Sequence, residues 1–520
     1  MGVATNLFWM LDRSARSDHG NETAIVFGDR AQSFRELRSR ARMFAAGLSA
    51  QGIGKGSRVA VLMGNRLEWP EVLFGLAALG AICVPVNVLL TGRELDHVVS
   101  DSGASSIVLD ELGLAASAGM TRPPEFVITV GAATAPKGSR SVSYEDVMKA
   151  GAGSAEIVEQ PALNDPFIYY YSSGTTGLPK AAVHTHNSVL WNSVAQIDDL
   201  KLDRGVNYLV VPSLSWAAGF HNLFLALLWK GGKSVIMPTG GTTIDKIVEN
   251  IEQHSITHIM MVPTLIRQLA GNEPMLARLR KTGLRWIVTG AEPVPTHLIA
   301  KLGEALPGCS VCQGYGLSEF PSICTVLQPE EALTRNGSAG RPLSHARVAV
   351  RTEEGIIADH GRGELLVRSL ANMIGYHNAP EKTAETLRDG WVNTGDLADI
   401  DEQGYVFIIG RTKDMVISGG LNVYPKEIEE VLGGQPGVVE VAVVGVPDEK
   451  YGERVVAVIV QDDAKPVDTA SLDRICKENL AGYKTPRAFL VRKEPLPRNP
   501  SGKVLKRELR PWAEQRLSGA

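Results

Sequence analysis

YYYSSGTTGLPK, residues Tyr169 to Lys180, is the stretch on which the reading of this chain turns. Ser172, Ser173, Thr175 and Thr176 set four hydroxyls beside Gly174 and Gly177, where little side-chain bulk keeps backbone N–H groups from facing an anion. Lys180 closes the run with a mobile point charge, and Pro179 stiffens the approach to it. Such a loop wraps a polyphosphate. It is not a Walker A loop, which needs Gly directly before a Lys-Ser or Lys-Thr pair, because Pro179 precedes Lys180 and Ala181 follows it. The plain alternative is a Gly/Ser/Thr turn that binds nothing.

Working outward, the N-terminal side alternates strands and helices. Ser33 and Glu36 form a capping box ahead of apolar positions at helical spacing, and Thr91 with Glu94 reads as a second one. Val59 to Met63, Ala81 to Val86 and Ser106 to Leu109 are short apolar runs that read as buried strands, with a helix from about Glu71 between the first two. This alternation predicts a mainly parallel sheet covered on both faces. Residues Gly131 to Asn164 are polar and weakly patterned, and read as a connection into the loop. Beyond the loop, Asn207 to Pro212, Thr257 to Pro263 and Arg285 to Thr289 repeat the buried-strand pattern and imply a second α/β layer. After Gly340 the texture changes: ARVAVRT, GELLVRS and YVFIIGR alternate and are bounded by Gly, as antiparallel strands do. VVEVAVVGVPDEKYGERVVAVIV then gives two β-rich runs around a turn, flanked by helical stretches from Pro425 and Ser471, which reads as a small α+β domain.

A chain of 520 residues is too long for one core, so at least two domains are expected. A net charge of −4 and no block of consecutive basic residues argue against nucleic acid as a partner. Five cysteines, few for the length and odd in number, suit free thiols in a reducing, cytoplasmic setting. Cys309 and Cys312 make a CxxC with no second pair, so they read as buried structural thiols. The apolar run from Leu7 to Leu11 ends at Asp12 before reaching signal-peptide length, and Val72 to Val86 is too short and too broken by Gly75, Gly80 and Pro85 for a membrane span. The final residues carry no peroxisomal tripeptide.

Further motifs follow the loop in order: QGYGLSE from Gln313 to Glu319, NTGD ending at Asp396, GRTKDMVISGGLNVYPKEIE from Gly410 to Glu429, and PRNPSGK ending at Lys503. Together they resemble the acyl-adenylate-forming superfamily of acyl-CoA synthetases, peptide-synthetase adenylation domains and firefly-type luciferases, over nearly the whole length. The resemblance implies an α/β fold with a large N-terminal domain, residues 1–411, of two stacked α/β subdomains and a distorted β-barrel. A smaller mobile α+β domain, residues 412–520, would carry a hinge and a catalytic lysine.

The implied chemistry has two steps: a carboxylate attacks the α-phosphate of ATP to give an acyl adenylate and pyrophosphate, and the thiol of CoA then displaces AMP. The resemblance assigns Gly314, Tyr315 and Gly316 to the adenine side, Ser318 to the α-phosphate, and Glu319 with Thr176 to Mg²⁺. One carboxylate suffices for a hard ion that phosphates and water otherwise surround. Gly290, Ala291 and Glu292 would border the adenine and acyl site, and Asp396 and Arg411 would hold the ribose. Lys413 stands at the position of the hinge, and Ser418, Gly419 and Gly420 would approach the pantetheine arm in the second arrangement. Lys503 would stabilise the charge developing in adenylation.

The acyl pocket departs from the family pattern. Where relatives carry an aromatic-His pair, PSLSWAAGFHNL has Leu214 and Ser215. Two readings stand for Trp216, Phe220 and His221: they line the pocket, or they are the core of a helix beginning nearby. The expected substrate is an apolar aliphatic, alicyclic or aromatic monocarboxylic acid. The competing expectations are an enzyme that loads a separate carrier protein and, from another class, a nucleotide-binding protein without catalysis. Neither a transmembrane segment nor a nucleic-acid partner is expected; an oligomer is compatible with the sequence.

Overall fold

Runs of β-branched residues with no polar break form the middle of the first sheet. Strands Arg58–Leu62, Ile82–Pro85, Ser106–Leu109, Phe126–Thr129 and Arg140–Ser143 pair in parallel, with Val59 and Val61 opposite Cys83 and Pro85. Both faces of such a sheet are covered, so its strands need no alternation. In the computed structural model, which describes residues 6–90, 92–135, 139–153, 161–172, 179–290, 294, 296–335, 337–462, 464–498 and 504–518, the chain forms two compact units. These are Met1–Val348 with Val367–Val392, and Ala349–Leu366 with Asn393–Ala520.

In the larger unit, strand Pro166–Ser172 joins the first sheet beside Ile82–Pro85 and turns back as the antiparallel strand Lys180–Thr185, with Ser172 opposite Lys180. The short strand Gly375–Tyr376 lies against that return strand at the sheet's edge. A second, nine-stranded sheet contains Thr23–Phe27, Lys233–Ile236, Asn207–Val210, His258–Met260, Trp286–Gly290 and Ser310–Leu317, successive neighbours paired in parallel. Phe320–Leu327 folds back antiparallel on the last of these. One core serves both sheets: Phe34, Phe44, Trp69, Phe74 and Val189 from the helices pack with Val61 and Cys83 of one sheet and Tyr208 and Val210 of the other. Each fully buried Phe or Leu there contributes about 1.5–3 kcal/mol against exposure.

Ser33 caps helix Phe34–Ala50 with the reciprocal Glu36 bond the sequence predicts. The second box, Thr91 with Glu94, falls partly outside what is described. Thr91 lies outside the described residues, and helix Arg93–Ser102 starts with Gly92 at the cap and no side-chain bond. The segment read as a plain connection holds structure as well: strand Arg140–Ser143 and helix Tyr144–Gly151, capped by Ser143. That helix packs closely because Gly47 and Gly151 carry no Cβ; one added at Gly151 would run into the Met43 carbonyl. Tyr144 stacks on Phe44, ring centroids 5.3 Å apart, and donates to the buried Glu71 carboxylate, which also accepts from Arg40 at 2.6 Å. Losing one partner of so buried a group costs about 3–5 kcal/mol.

In the smaller unit, Val438–Asp448 and Gly452–Gln461 form a long antiparallel pair, and Ala488–Arg492 runs parallel to the second. Alternation sends Val443, Val455, Ala457 and Ile459 to one face, under helices Pro425–Gly433 and Thr469–Asn479, and Val444, Val456 and Val458 to the other, under helix Lys506–Ser518. The alternating runs after Gly340 are strands Ala346–Arg351, Gly361–Ser369 and Val406–Arg411, members of a six-stranded sheet. The fold is α/β, with a large N-terminal part and a smaller C-terminal α+β part, as the resemblance implies.

Candidate active site

The loop that opened the sequence leaves the first sheet at Ser172 and returns at Lys180, whose side chain is exposed. Ser173, Gly174, Thr175, Thr176 and Gly177 lie outside the described residues, as do the side chain of Ser172, Ala291, Glu292 and Lys503. What the structure does describe is the frame around that loop. Pro179 presents its carbonyl to His97, 2.7 Å away, and Tyr171 donates to Asp101 at 2.7 Å.

Glu319 sits at the turn between strands Ser310–Leu317 and Phe320–Leu327. Gly316 makes this turn possible, since a Cβ there would collide with the Ser322 carbonyl. The Glu319 carboxylate accepts a 2.6 Å hydrogen bond from the Tyr376 hydroxyl, and its backbone carbonyl accepts from Met373 N at 2.8 Å. Burial and the adjoining carboxylate raise the Tyr376 phenol well above its usual range, so it remains a donor. Tyr376 is also the register partner of Ala182, two residues beyond Lys180. The sheet thereby brings the strand that begins at Lys180 and QGYGLSE into one place.

Ser318 is fixed from the other side. Its carbonyl lies 2.7 Å from His184 Nε2. A carbonyl only accepts, so Nε2 carries the proton and Nδ1 is left as the acceptor, 3.4 Å from Ser188 Oγ. Burial holds His184 down to about 4, the Ser318 bond opposing it, so the ring is neutral at pH 7. On the neighbouring strand Gly290 faces Gly314, and a Cβ on Gly290 would come within 2.7 Å of the Gly314 carbonyl. Gln313 Oε1 accepts from Val294 N at 2.9 Å and holds the far end of the segment after Gly290. Tyr315, half-buried, lies between Gly314 and Gly316, so a flat ligand could approach its ring without side-chain obstruction from either.

Among the described residues no group of three or more His, Cys, Asp or Glu could hold a metal ion. One oriented carboxylate, Glu319, fits a Mg²⁺ ion that takes its other ligands from phosphates and water. Trp216 is half-buried at the start of helix Ala217–Phe220, whereas Phe220 is fully buried against Trp69, 6.1 Å between centroids. His221 is fully buried beside it.

In the smaller unit, Asp396 and Arg411 are cross-strand partners joined by a 2.9 Å ion pair, and Gly395, at φ 69°, precedes the acid within strand Trp391–Ile400, so the tight turn expected there is not formed. Asp396 is nearly buried, and Thr412 Oγ1 donates to the Gly395 carbonyl at 3.2 Å. Lys413 lies exposed in the short 3₁₀ turn Thr412–Asp414. Ser418, Gly419 and Gly420 make the tip of a hairpin, with both glycines at positive φ and Gly419 N bonded to the Tyr451 carbonyl at 2.7 Å. The Lys503 segment is bounded on both sides: Arg498 and Val504 form a bridge, and Leu505 N donates to Pro497 O at 2.7 Å.

Sequence reasoning missed Tyr376 and His184. Each is a single aromatic residue in an apolar strand, and only the folded register gives it a partner. None of the five cysteines is in a disulfide; Cys312 is buried and Cys309 half-buried, and burial pushes both thiols up to about 12. No helix among the described residues is long and apolar enough to cross a membrane.

Known proteins resemble this chain over nearly its whole length. The long-chain-fatty-acid–CoA ligase FadD13 of Mycobacterium tuberculosis is 36% identical over 515 residues, covering 97% of this chain and 98% of that protein. A feruloyl-CoA synthase from Amycolatopsis is 36% identical over 504 residues, covering 96% and 98%. Among solved structures, the o-succinylbenzoate CoA synthetase of Bacillus subtilis in complex with its acyl-adenylate intermediate superposes with a TM-score of 0.83 at 27% identity, covering 98% of both chains. The AMP-binding enzyme profile matches residues 11–377, and that of the AMP-binding enzyme C-terminal domain matches residues 427–503; the chain belongs to the AMP-binding enzyme family.

Proposed function

We propose that this protein joins a carboxylic acid to CoA through an acyl adenylate, consuming ATP and releasing AMP and pyrophosphate. The observation that carries this is the triangle of Lys180, Tyr376 and Glu319: one short edge strand ties the exit of the phosphate loop to the acid that would hold Mg²⁺. A carboxylate oxygen of the acid forms a bond to the α-phosphorus as the bond to pyrophosphate breaks. The CoA sulfur, having lost its proton, then bonds to the acyl carbon, and AMP leaves with the electrons of the mixed anhydride.

Ser172, Ser173, Gly174, Thr175, Thr176, Gly177 and Lys180 would cradle the phosphates. Ser318 would meet the α-phosphate, and Glu319 with Thr176 would hold Mg²⁺, which neutralises phosphate charge. Gly290, Ala291, Glu292, Gly314, Tyr315 and Gly316 would enclose the adenine. The ion pair of Asp396 with Arg411 supports a ribose site, because it orients a short carboxylate between two paired strands. Residues 1–411 would then form the ATP- and acyl-binding part, with residues 412–520 pivoting at Lys413. Lys503 would supply charge for the first step, and the hairpin of Ser418, Gly419 and Gly420 would take the pantetheine arm in the second.

The acid is an apolar aliphatic, alicyclic or aromatic monoacid in this reading. Support comes from relatives named for long-chain fatty and feruloyl substrates and from the apolar setting of Phe220. Five cysteines outside any disulfide support a reducing compartment such as the cytoplasm. The test is AMP formation from a panel of such acids with CoA, repeated with a phosphopantetheinylated carrier protein as acceptor. AMP release that depends on CoA supports the ligase; release that depends only on the carrier transfers the proposal to carrier loading, and no release with any acid ends it.

A further inference from the structure

His221 is completely buried, and neither of its ring nitrogens has a hydrogen-bond partner among the described residues. Tyr170 stands against it, ring centroids 5.3 Å apart, 4% exposed, and its hydroxyl has no described partner either. Buried side-chain polar atoms in folded proteins are nearly always paired, so three unpaired ones at one point call for a cause. The neighbours cannot supply one. His184 is committed to the Ser318 carbonyl, and the Gln196 side chain bonds His221 O, Asn192 Oδ1 and Leu223 N. The Asn222 amide spans Met260 Sδ and Ser322 Oγ.

The backbone here is irregular too. His221–Leu225 is a π-helical turn broken at Asn222, and Leu223 sits at φ 63°, a conformation that bulky residues avoid. Position adds the decisive point. From the Ser318 carbonyl the path runs to His184 at 2.7 Å, on to the Tyr170 ring at 6.1 Å between centroids, and on to His221 at 5.3 Å. If Ser318 meets the α-phosphate, Tyr170 and His221 stand two ring contacts behind that point, beyond His184.

We propose that Tyr170 and His221 form an uncharged polar subsite that takes an oxygen substituent, hydroxyl or keto, carried on the otherwise apolar body of the acid. The inference rests on the ligase reading above. A neutral imidazole offers one N–H and one lone pair, and the phenol offers both roles, which matches a hydroxyl or a carbonyl oxygen. Burial and the nearby His184 hold the His221 pKa far below its usual value, and burial raises that of Tyr170, so neither charges at pH 7. A second carboxylate or an ammonium would be left there without a counter-charge.

The experiment uses the full-length protein and matched series of acids: an unsubstituted aliphatic or alicyclic parent, and its hydroxy and oxo derivatives with the substituent placed at successive positions. CoA-dependent AMP formation gives kcat/KM for each. At least one oxygenated member should exceed its parent by about 10-fold or more, since a site built to hydrogen-bond a substituent discriminates strongly against the analogue lacking it. Tyr170→Phe and His221→Leu should each collapse that ratio, and comparing hydroxy with oxo members identifies which oxygen is read. Melting temperatures of both variants, expected to equal or exceed that of the parent protein, separate recognition from misfolding. Parents turned over as well as every oxygenated acid, or a ratio unchanged in both variants, overturns the subsite while leaving the ligase standing. AMP formation from no acid at all overturns the ligase reading itself.

Discussion

The Tyr376 hydroxyl donates a 2.6 Å hydrogen bond to Glu319 Oε1, linking an edge strand of one sheet to an antiparallel hairpin of the other. It fixes the carboxylate whose orientation a Mg²⁺–nucleotide complex would need. Tyr376→Phe removes this bond and little volume. Its KM for Mg²⁺·ATP should rise about 10-fold, the usual effect of losing a group that orients a metal ligand. Titrating Mg²⁺ in a pyrophosphate-release assay checks it; an unaltered Mg²⁺ dependence would separate Glu319 from the metal.

Lys503→Ala should lower adenylation by about 10²–10³ and largely spare thioester formation from a supplied acyl adenylate. The asymmetry follows from the charge that develops only while the α-phosphate is attacked. Following the two half-reactions separately decides it, and equal losses in both would remove the assigned role.

Lys413→Pro tests the pivot. Proline fixes φ near −65° and bars the angle changes that a hinge makes. Thioester formation should suffer more than adenylation in single-turnover measurements. If both rates match those of the parent protein, the pivot lies elsewhere.

The buried histidines give the fold an acid limit. Burial holds His184, His186, His258 and His345 down to about 4, against about 6.5 in the unfolded chain. Above pH 6.5 both states are neutral and the groups contribute no pH dependence. Between pH 6.5 and 4 the unfolded state binds the extra protons, so stability falls as pH falls, by about 1.4 kcal/mol per unit per histidine. His258→Phe keeps an aromatic ring against Trp286, now 6.0 Å away and parallel. Urea denaturation at several pH values across this range should give a slope shallower by about that amount in the variant.

The parallel strands were legible because Val59, Val61, Ile107 and Val108 lie in unbroken apolar runs that leave no other buried element of that length. Ser33 and Glu36 announced their helix because capping is local chemistry. Strand Arg140–Ser143 was not legible: it is the outer strand of its sheet, half solvated, and RSVS lacks the apolar run of a central strand. The helix after it hides for a related reason, since Tyr144, Val147 and Met148 bury one narrow stripe of eight residues. The site divides in the same way. Gly316 and Glu319 stand in a motif, whereas Tyr376, His184 and the unpaired atoms of Tyr170 and His221 acquire meaning only from register and burial.

Val504 adjoins Lys503 and is stitched to Arg498, with Leu505 tied to Pro497 in the next rung. One peptide step spans about 3.8 Å between Cα atoms, so the described ties of the smaller unit reach to within one residue of position 503. In the proposed swing the amine would travel with its lobe, like a tool bolted to an arm. A loosened tether, for example glycines inserted between Lys503 and Val504, should therefore blur the timing of the two half-reactions rather than merely weaken the first.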